Sequence, residues 1–591
     1  MQSERPDTSA DPFAAAWTAY AGLAMGTLAL FGPLELREGM LPIGGMQVSA
    51  IELVAVLALV VGSTAVALRW RHADGAAIRA LLTSPVSLAL IAWAAVHLAS
   101  AAWATEARTE AFKFGLRVAV SAGLALIAAL LADVPVFRRR LIGGLLAGLS
   151  VISAIAIAER ATGQDFEPFL ALFRKAPTWM LGEQRLATVF SHANTCAAYF
   201  ELTVPFLAVA LARSGVARRW RVLGVIWLIA LSVLLSLTYS RAGLAAGALA
   251  TAILAGAALR HRHRRMLFGI AALHAAAVLT AYFGNPDMRA RFGMELRSYK
   301  VRYVFDGPCL GHAGETIKIP LTLQNVGQWP IANRQAPASL SFEFWPEEGK
   351  PTSGRQWLPL AKVIAGRSAR LWVPARLPET PGSFTAVFDI RRHEVIWLSA
   401  VGNQLGRLRC ISVPRGEALE SRASETSLPP RRHVESPGGS QAKRALELDR
   451  KHYWQAALAL FAERPVLGHG ADRFRMAYRS KVPGRAWDRR ARSHSIILET
   501  AANLGLVGLI VLGLLGGVCL ASVAQILIAA GTVPIAGLAA SVAILGFGLH
   551  SMVDYFMGYT QIYVLAWPIV GLALGLAPGW RKHSNKRKKD V

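Results

Sequence analysis

The sequence predicts a mainly α, polytopic membrane protein with a small all-β domain inserted into one of its loops. Three observations predict it. The 591 residues are 53% hydrophobic, and they fall into runs of the roughly 20 apolar residues that a bilayer-spanning helix needs. Positive charge gathers in alternate short loops between those runs. In one long loop, 285–501, the hydrophobic period drops from that of a helix to two.

Twelve spans are predicted, at about 13–32, 47–68, 85–104, 114–132, 141–158, 195–212, 222–238, 242–259, 266–284, 502–526, 533–551 and 560–577. The first is not read as a signal peptide, because its flank, MQSERPDTSADPF, is acidic where a basic stretch belongs. The net charge of +27 sits in RWRH at 69–72, FRRR at 137–140, ARRWR at 217–221, RHRHRR at 260–265 and the tail RKHSNKRKKD at 581–590. The intervening loops are near neutral or acidic. This alternation is the positive-inside pattern and puts both termini in the cytoplasm. It argues against nucleic-acid binding, which needs the charge on one face. The loops 33–46, 105–113, 159–194, 238–242, 285–501 and 552–559 then lie on the far side, the periplasm in a Gram-negative inner membrane.

The expected order is an N-terminal membrane domain of about nine spans (1–296), a β insert (297–414), a flexible linker (415–443), an amphipathic helix with a loop (444–501), C-terminal spans (502–580) and a basic tail (581–591). In the insert, ETIKIPLTLQNVGQWPI alternates at Ile317, Ile319, Leu321 and Leu323. Short β-type runs follow between Gly/Pro turns, the spacing of an immunoglobulin-like sandwich. Cys309 and Cys410 lie near its two ends. An oxidising compartment would let them form a disulfide; the other reading is two buried thiols. Trp345, Trp372 and Trp397 serve equally as core or as sugar-stacking residues. The stretch ESRASETSLPPRRHVESPGGSQAKR reads as linker. After it, Leu446, Tyr453, Trp454, Ala457, Leu458 and Phe461 recur at helical spacing, and Pro465, Gly468 and Gly470 end that helix in a turn suited to the membrane surface. Cys196 and Cys519 fall in spans.

Three far-side helix mouths hold the chemical candidates. RLATVFSHAN carries Arg185, His192 and Asn194. LTYSRAG carries Ser240 and Arg241. ARSHSIILETAANLGLVG carries Arg492, His494, Ser495 and Glu499. Taken singly, an Arg at a helix end anchors to headgroups, and a lone His is more often structural. Together, arginines with one histidine suit a pyrophosphate, which guanidinium groups pair bidentately, and a hydroxyl whose proton a neutral imidazole takes.

HSIILETAANLGLVG resembles the H-[NSQ]-x9-G-x-x-G signature of the bacterial O-antigen ligases, with His494, Ser495, Gly505 and Gly508 in place. On one continuous helix Gly505 would lie about three turns below His494 and allow close packing. RLATVFSHAN is similar to that superfamily's R-x-x-G-x-F-x-x-P-N segment, with Thr188 in place of Gly and Ala193 in place of Pro. TYSRAG, the helix with its P-x-x-G-x-G turn, and HSMVDYF at 550–556 resemble further family segments. The resemblance implies a membrane-embedded, type C-like glycosyltransferase that uses no metal or other cofactor. Its donor would be a glycan on undecaprenyl diphosphate and its acceptor a lipid A–core sugar or another glycan. By position Arg185 and Arg241 would hold the diphosphate, and His494 would activate the acceptor. Asn194, His192, Ser240, Arg492, Ser495 and Glu499 would line the substrate site. The β insert is extra to the pattern, either a spacer or a binding unit for acceptor glycan or an envelope partner.

A Wzy-type polymerase and a protein O-oligosaccharyltransferase share these motifs. A polysaccharide or lipid-carrier transporter is the alternative of another class; it would place its polar groups near the midplane. A third option uses Glu35 or Glu38 as base, although both read more simply as solvated charges.

Overall fold

In the computed structural model the described residues are 12–38, 40–43, 46–71, 75–104, 107–175, 177–180, 183–212, 215–258, 264–284, 299–327, 330–332, 338–346, 351–352, 354–392, 396–401, 403–427, 450–481, 491–529 and 531–579. The linker from 428 onward, Leu446 and the basic tail lie outside them. The chain forms two compact units: residues 1–178, 185–284 and 448–591 make the first, and 179–184 with 285–447 the second.

The first unit is helical. Its long helices are α1 (Pro12–Phe31), α2 (Ala50–Arg69), α4 (Pro85–Trp103), α5 (Arg108–Leu131), α6 (Pro135–Thr162), α8 (Ala193–Leu211), α9 (Arg218–Leu237), α10 (Arg241–Ala258), α11 (Arg264–Gly284), α14 (Ile496–Ile528), α15 (Ile535–Met552) and α16 (Thr560–Leu576). Short helices α3 (Gly75–Leu82), α7 (Glu167–Leu170) and α13 (Phe474–Ala477), and the 14-residue α12 (Arg450–Glu463), complete the series. Each of the twelve predicted spans meets one long helix. Among the described residues ten helices are long and apolar enough to cross a membrane, while α10 and α16 are apolar but shorter. Two hairpins, β1 (Met40–Ile43) with β2 (Met46–Ser49) and β3 (Thr178–Met180) with β4 (Glu183–Arg185), sit between helices.

Helices α8 and α16 are apolar all round, the pattern of a helix enclosed by others, and almost every residue of each is buried. On α16, Gly571 and Gly575 face α5. A Cβ would come within 2.0 Å of the Ala125 carbonyl oxygen at the first and 2.1 Å of the Ala129 carbonyl oxygen at the second. Only glycine permits that approach, which brings dispersion contacts between the two backbones.

Helix α14 departs from the continuous helix expected below His494. Gly505 has φ +62° and ψ −155° and breaks it. The 465–470 turn docks into the break: Leu506 N donates to Pro465 O (2.7 Å), and Gly470 N donates to Asn503 O (2.8 Å). A Cβ on Gly505 would meet Val466 O at 2.4 Å, and one on Gly468 would meet the Asn503 backbone at 2.4 Å. These glycines lock turn to helix through hydrogen bonds rather than thin a helix–helix seam.

The second unit is a sandwich of two sheets. One has the order β10–β7–β5, from β5 (Val301–Phe305), β7 (Thr316–Asn325) and β10 (Ser368–Arg376). The other runs β6–β13–β11–β8–β9, from β6 (Cys309–His312), β8 (Ala338–Pro346), β9 (Gln356–Leu360), β11 (Gly382–Arg392) and β13 (Gly406–Val413), with β12 (Ile396–Trp397) paired to β11. Alternation sends Ile319, Leu321, Leu323, Leu340, Phe342, Phe344 and Phe388 into one core, as period-two patterning requires. Cys309 and Cys410 face each other on the parallel pair β6 and β13 and form a disulfide. Cys196 and Cys519 are free.

Candidate functional site

Arg185, His192, Asn194 and His494, separated by up to 309 residues, converge at one end of the helical unit. The element that joins them is Asp554, in the loop between α15 and α16. Its Oδ1 lies 3.0 Å from His494 Nδ1 and accepts from the Tyr555 amide (2.9 Å). Its Oδ2 accepts from Asn194 Nδ2 (2.7 Å). Asn194 Oδ1 in turn accepts from Arg185 Nη2 (2.7 Å), and Arg185 Nε donates to the Thr238 carbonyl (2.8 Å). The chain of contacts therefore runs from the 238–241 turn through Arg185, Asn194 and Asp554 to His494. Arg450 on α12 closes the outer side, with Nη2 3.6 Å from Asp554 Oδ2, and the Tyr453 ring stands edge-on to His494 at 5.5 Å.

Electrostatics order the two histidines. Burial raises the Asp554 carboxyl, but the hydrogen bond and charge of His494, with His550 and Arg450, outweigh it and hold the group well below the usual carboxylate range. An ionised Asp554 accepting at both oxygens fixes the proton of His494 on Nδ1 and leaves Nε2 as acceptor, the arrangement that makes a general base. The His494 side chain is 28% exposed, enough for a substrate hydroxyl to reach it. Burial, reinforced by the Arg185 charge, brings His192 down to about 4. It stays neutral and uses Nδ1 to accept the Asn194 amide (3.2 Å) as N-cap of α8.

Beneath His494 a second network holds its loop. The half-buried Arg492 pairs with the buried Asp472, which also accepts from Arg475 Nε (2.8 Å). Burial opposes both charges, yet their mutual attraction lowers Asp472 and raises Arg492. Glu499 Oε2 accepts the Ser493 amide (2.7 Å), and Ser495 Oγ caps α14 at the Leu498 amide. Arg492, Ser495 and Glu499, expected to meet substrate, instead spend their polar groups inside the protein, because burial obliges each to find a partner there. Ser240 likewise caps α10 through the Gly243 amide (3.1 Å). Arg185 is buried and donates within the protein, so its contribution to a ligand is charge and position rather than an open fork. Arg241 begins α10 with an exposed side chain. The structure brings its turn, but not its guanidinium, into the network.

Glu38 is exposed and pairs with Arg37 at 2.8 Å. Glu35 differs from the solvated charge expected: burial raises its pKa, against hydrogen bonds from Ser49 and Thr560. Sequence reasoning did not assign Asp554, Asp472 or Arg450 to the site, and read Tyr453 only as part of a helix face. A signal for Asp554 was present in HSMVDYF, a carboxylate at the end of an apolar run.

An apolar helical bundle with a His–Asp pair and arginines at one end defines a membrane protein with a candidate polar site at a helix mouth. The family model described as "O-Antigen ligase" matches residues 395–513, about a fifth of the chain, including His494, Gly505 and Gly508. Over that stretch the chain is similar to the O-antigen ligase family. No curated protein matches it. Among solved structures, an alkylpurine DNA glycosylase of Pseudomonas fluorescens bound to DNA containing an abasic site analog is 12% identical, with 68% of this chain and 100% of that chain covered; at a TM-score of 0.15 it carries no argument.

Proposed function

We propose that the protein is a glycosyltransferase of the O-antigen ligase type, acting in a bacterial inner membrane with its site on the periplasmic side. It moves a glycan from undecaprenyl diphosphate to an acceptor hydroxyl on lipid A–core or another glycan. The observation that carries this reading is the pairing of His494 Nδ1 with the buried carboxylate of Asp554, which leaves Nε2 as the acceptor of a partly exposed side chain. The acceptor oxygen bonds the anomeric carbon as the bond from that carbon to the diphosphate breaks. The leaving diphosphate takes the electron pair, and His494 Nε2 takes the hydroxyl proton. In this reading the exposed Arg241 and the partly exposed Arg450 would pair with the diphosphate, while the buried Arg185 would add charge. Such groups stabilise the charge that develops on the leaving group, and the scheme calls for no metal. A Wzy-type polymerase and a protein O-oligosaccharyltransferase would use the same geometry with a different acceptor.

A transporter is favoured by one observation, the buried pair of Glu201 and His550 at 2.7 Å within the spans, since intramembrane charges often mark translocation paths. Proteoliposomes carrying lipid-diphosphate glycan and candidate acceptors separate the readings. Transfer that needs His494 and Asp554 supports the enzyme. Glycan movement across the membrane without transfer, lost in Glu201→Gln and retained in His494→Ala, overturns it.

A further inference from the structure

The three-stranded sheet of the β unit has an outer face that the transfer chemistry leaves unused. Pairing places Trp372 opposite Pro320, Arg370 opposite Thr322, Thr322 opposite Val304, and Arg302 opposite Gln324. Ile319, Leu321, Leu323 and Val373 point the other way into the core, so these residues share the outward surface. Trp372, midway along the edge strand β10, is 57% exposed, with the Arg370 guanidinium 5.6 Å from its ring. Arg302, Lys318 and Arg370 are exposed and have no carboxylate partner among the described residues. The acids here are Asp306, which accepts from Thr322 Oγ1 (2.5 Å), and Glu379, which pairs with Arg376. At the end of β10, Arg376 opens onto a groove of about 590 Å³ lined also by Thr352, Gln356, Glu379 and Thr380. From Trp372 to Arg376 the strand covers about 13 Å, so the platform and the groove form one track.

One exposed aromatic by itself needs no explanation. Here the ring shares the sheet's outward face with unpaired cations, on the strand that runs to the groove. We propose that this face binds acidic polysaccharide, with a sugar ring stacked on Trp372 and its carboxylates or phosphates paired to Arg370, Arg302 and Lys318. Indole offers an apolar face to the C–H side of a sugar. Guanidinium groups take carboxylate and phosphate oxygens in a fork that an ammonium cannot match. An anionic bilayer fits less well, because a surface that inserts into lipid needs an apolar face of several large side chains and this one has a single ring. The choice of a saccharide rests on the transferase reading. Binding is measured without donor, so a failed transfer assay would not decide it.

The test is binding of the full chain, in discs of zwitterionic lipid, to alginate oligosaccharides, with neutral dextran and phosphatidylglycerol vesicles as comparison probes. Alginate should bind in a salt-sensitive manner and dextran should not. Trp372→Ala should weaken alginate binding about tenfold, the size of one lost ring stack. Trp372→Tyr should keep most of it, and Arg302→Ala with Arg370→Ala should flatten the salt dependence. Thermal unfolding of each variant checks that the sandwich is intact. Equal binding of dextran and alginate, alginate binding indifferent to a well-folded Trp372→Ala, or capture by the vesicles with none by alginate would each overturn the proposal.

Discussion

Asp554→Asn changes one atom of the site and isolates the role of its charge. Four donors surround the carboxylate: His494 Nδ1 and the Tyr555 amide at Oδ1, and Asn194 Nδ2 with the Arg450 guanidinium at Oδ2. An amide has one acceptor oxygen. If that oxygen takes the Oδ1 position, the new NH₂ faces the Asn194 amide and Arg450, and Asn194 can only turn by giving up Arg185. If it takes the Oδ2 position, the NH₂ faces His494 Nδ1 and pushes the imidazole into the tautomer with hydrogen on Nε2, which cannot accept a proton. Either arrangement leaves a buried donor without a partner, at a cost of about 1–3 kcal/mol. The second also removes the base, whose removal lowers a rate by about 10²–10⁴-fold. A correctly shaped amide at such a position acts through the wrong tautomer. The assay is glycan transfer in proteoliposomes with thermal unfolding measured on the same preparations. The expected result is a rate down by at least about a hundredfold, with unfolding lowered only modestly. An Asn variant that keeps more than about a third of wild-type transfer would remove the His494–Asp554 pair from the machinery and sink the mechanism.

Other expectations concern the fold around the site. Gly505→Ala puts a Cβ 2.4 Å from Val466 O at φ +62° and should cost about 2 kcal/mol or more, read as a lower unfolding temperature. Gly513→Ala on the same helix meets nothing within 4 Å and should be neutral or slightly stabilising. Thr188→Gly relieves a β-branched residue at φ +50° and should stabilise by about 1 kcal/mol, unless loss of the Oγ1 contact with Cys196 cancels it. Replacing Cys309 and Cys410 by Ser opens a loop of sequence separation 101 and should destabilise the sandwich by about 4 kcal/mol, seen as faster proteolysis of the β unit alone. The His192 pKa, lowered from 6.5 to about 4, makes the unfolded chain the tighter proton binder between those values. Stability should fall as pH drops from about 6.5 toward 4, and His192→Asn, another good N-cap, should remove that part of the slope.

Much of the fold was legible because its forces are local in sequence. A bilayer needs long apolar runs, and a half-buried strand needs alternation, so the long helices and the strands around 316–413 could be read residue by residue. The site was legible in outline, since His494 and Arg185 stood out as polar groups at helix mouths. What stayed hidden depended on pairing across hundreds of residues. Nothing near Arg492 in the sequence says that Asp472 will neutralise it, and nothing near Arg185 says that Asn194 and Thr238 will occupy its donors. Nothing near Arg450 in the sequence points to Asp554. Only the docking of α12 beside the loop before α16 puts it against Asp554. The Gly505 break was misread for the same reason: helical periodicity continues across it, and the turn that fills it begins 40 residues earlier.

The backbone gives a separate reason to place function here. Five non-glycine residues among those described have positive φ: Ala107, Thr188, Tyr239, Asp472 and His494. Four of them sit in the loops that build the site, one in each of the 185–194, 238–241, 468–473 and 492–495 segments. Each such conformation costs on the order of 1 kcal/mol or more, so chance gives no reason for them to gather at one end of one unit. Each of three is held by a strong, directional contact: the Thr188 amide donates to the Glu159 carboxylate (2.8 Å), Asp472 is gripped by Arg492 and Arg475, and His494 is bound to Asp554. Loop strain opposed by buried ion pairs is a costly way to connect helices, but it is an effective way to aim side chains from distant segments at one point. At position 188, where the resembling family segment has glycine, this chain has threonine with a left-handed backbone. That geometry costs local stability, as expected if the direction in which the loop presents His192 and Asn194 matters more than the comfort of its backbone.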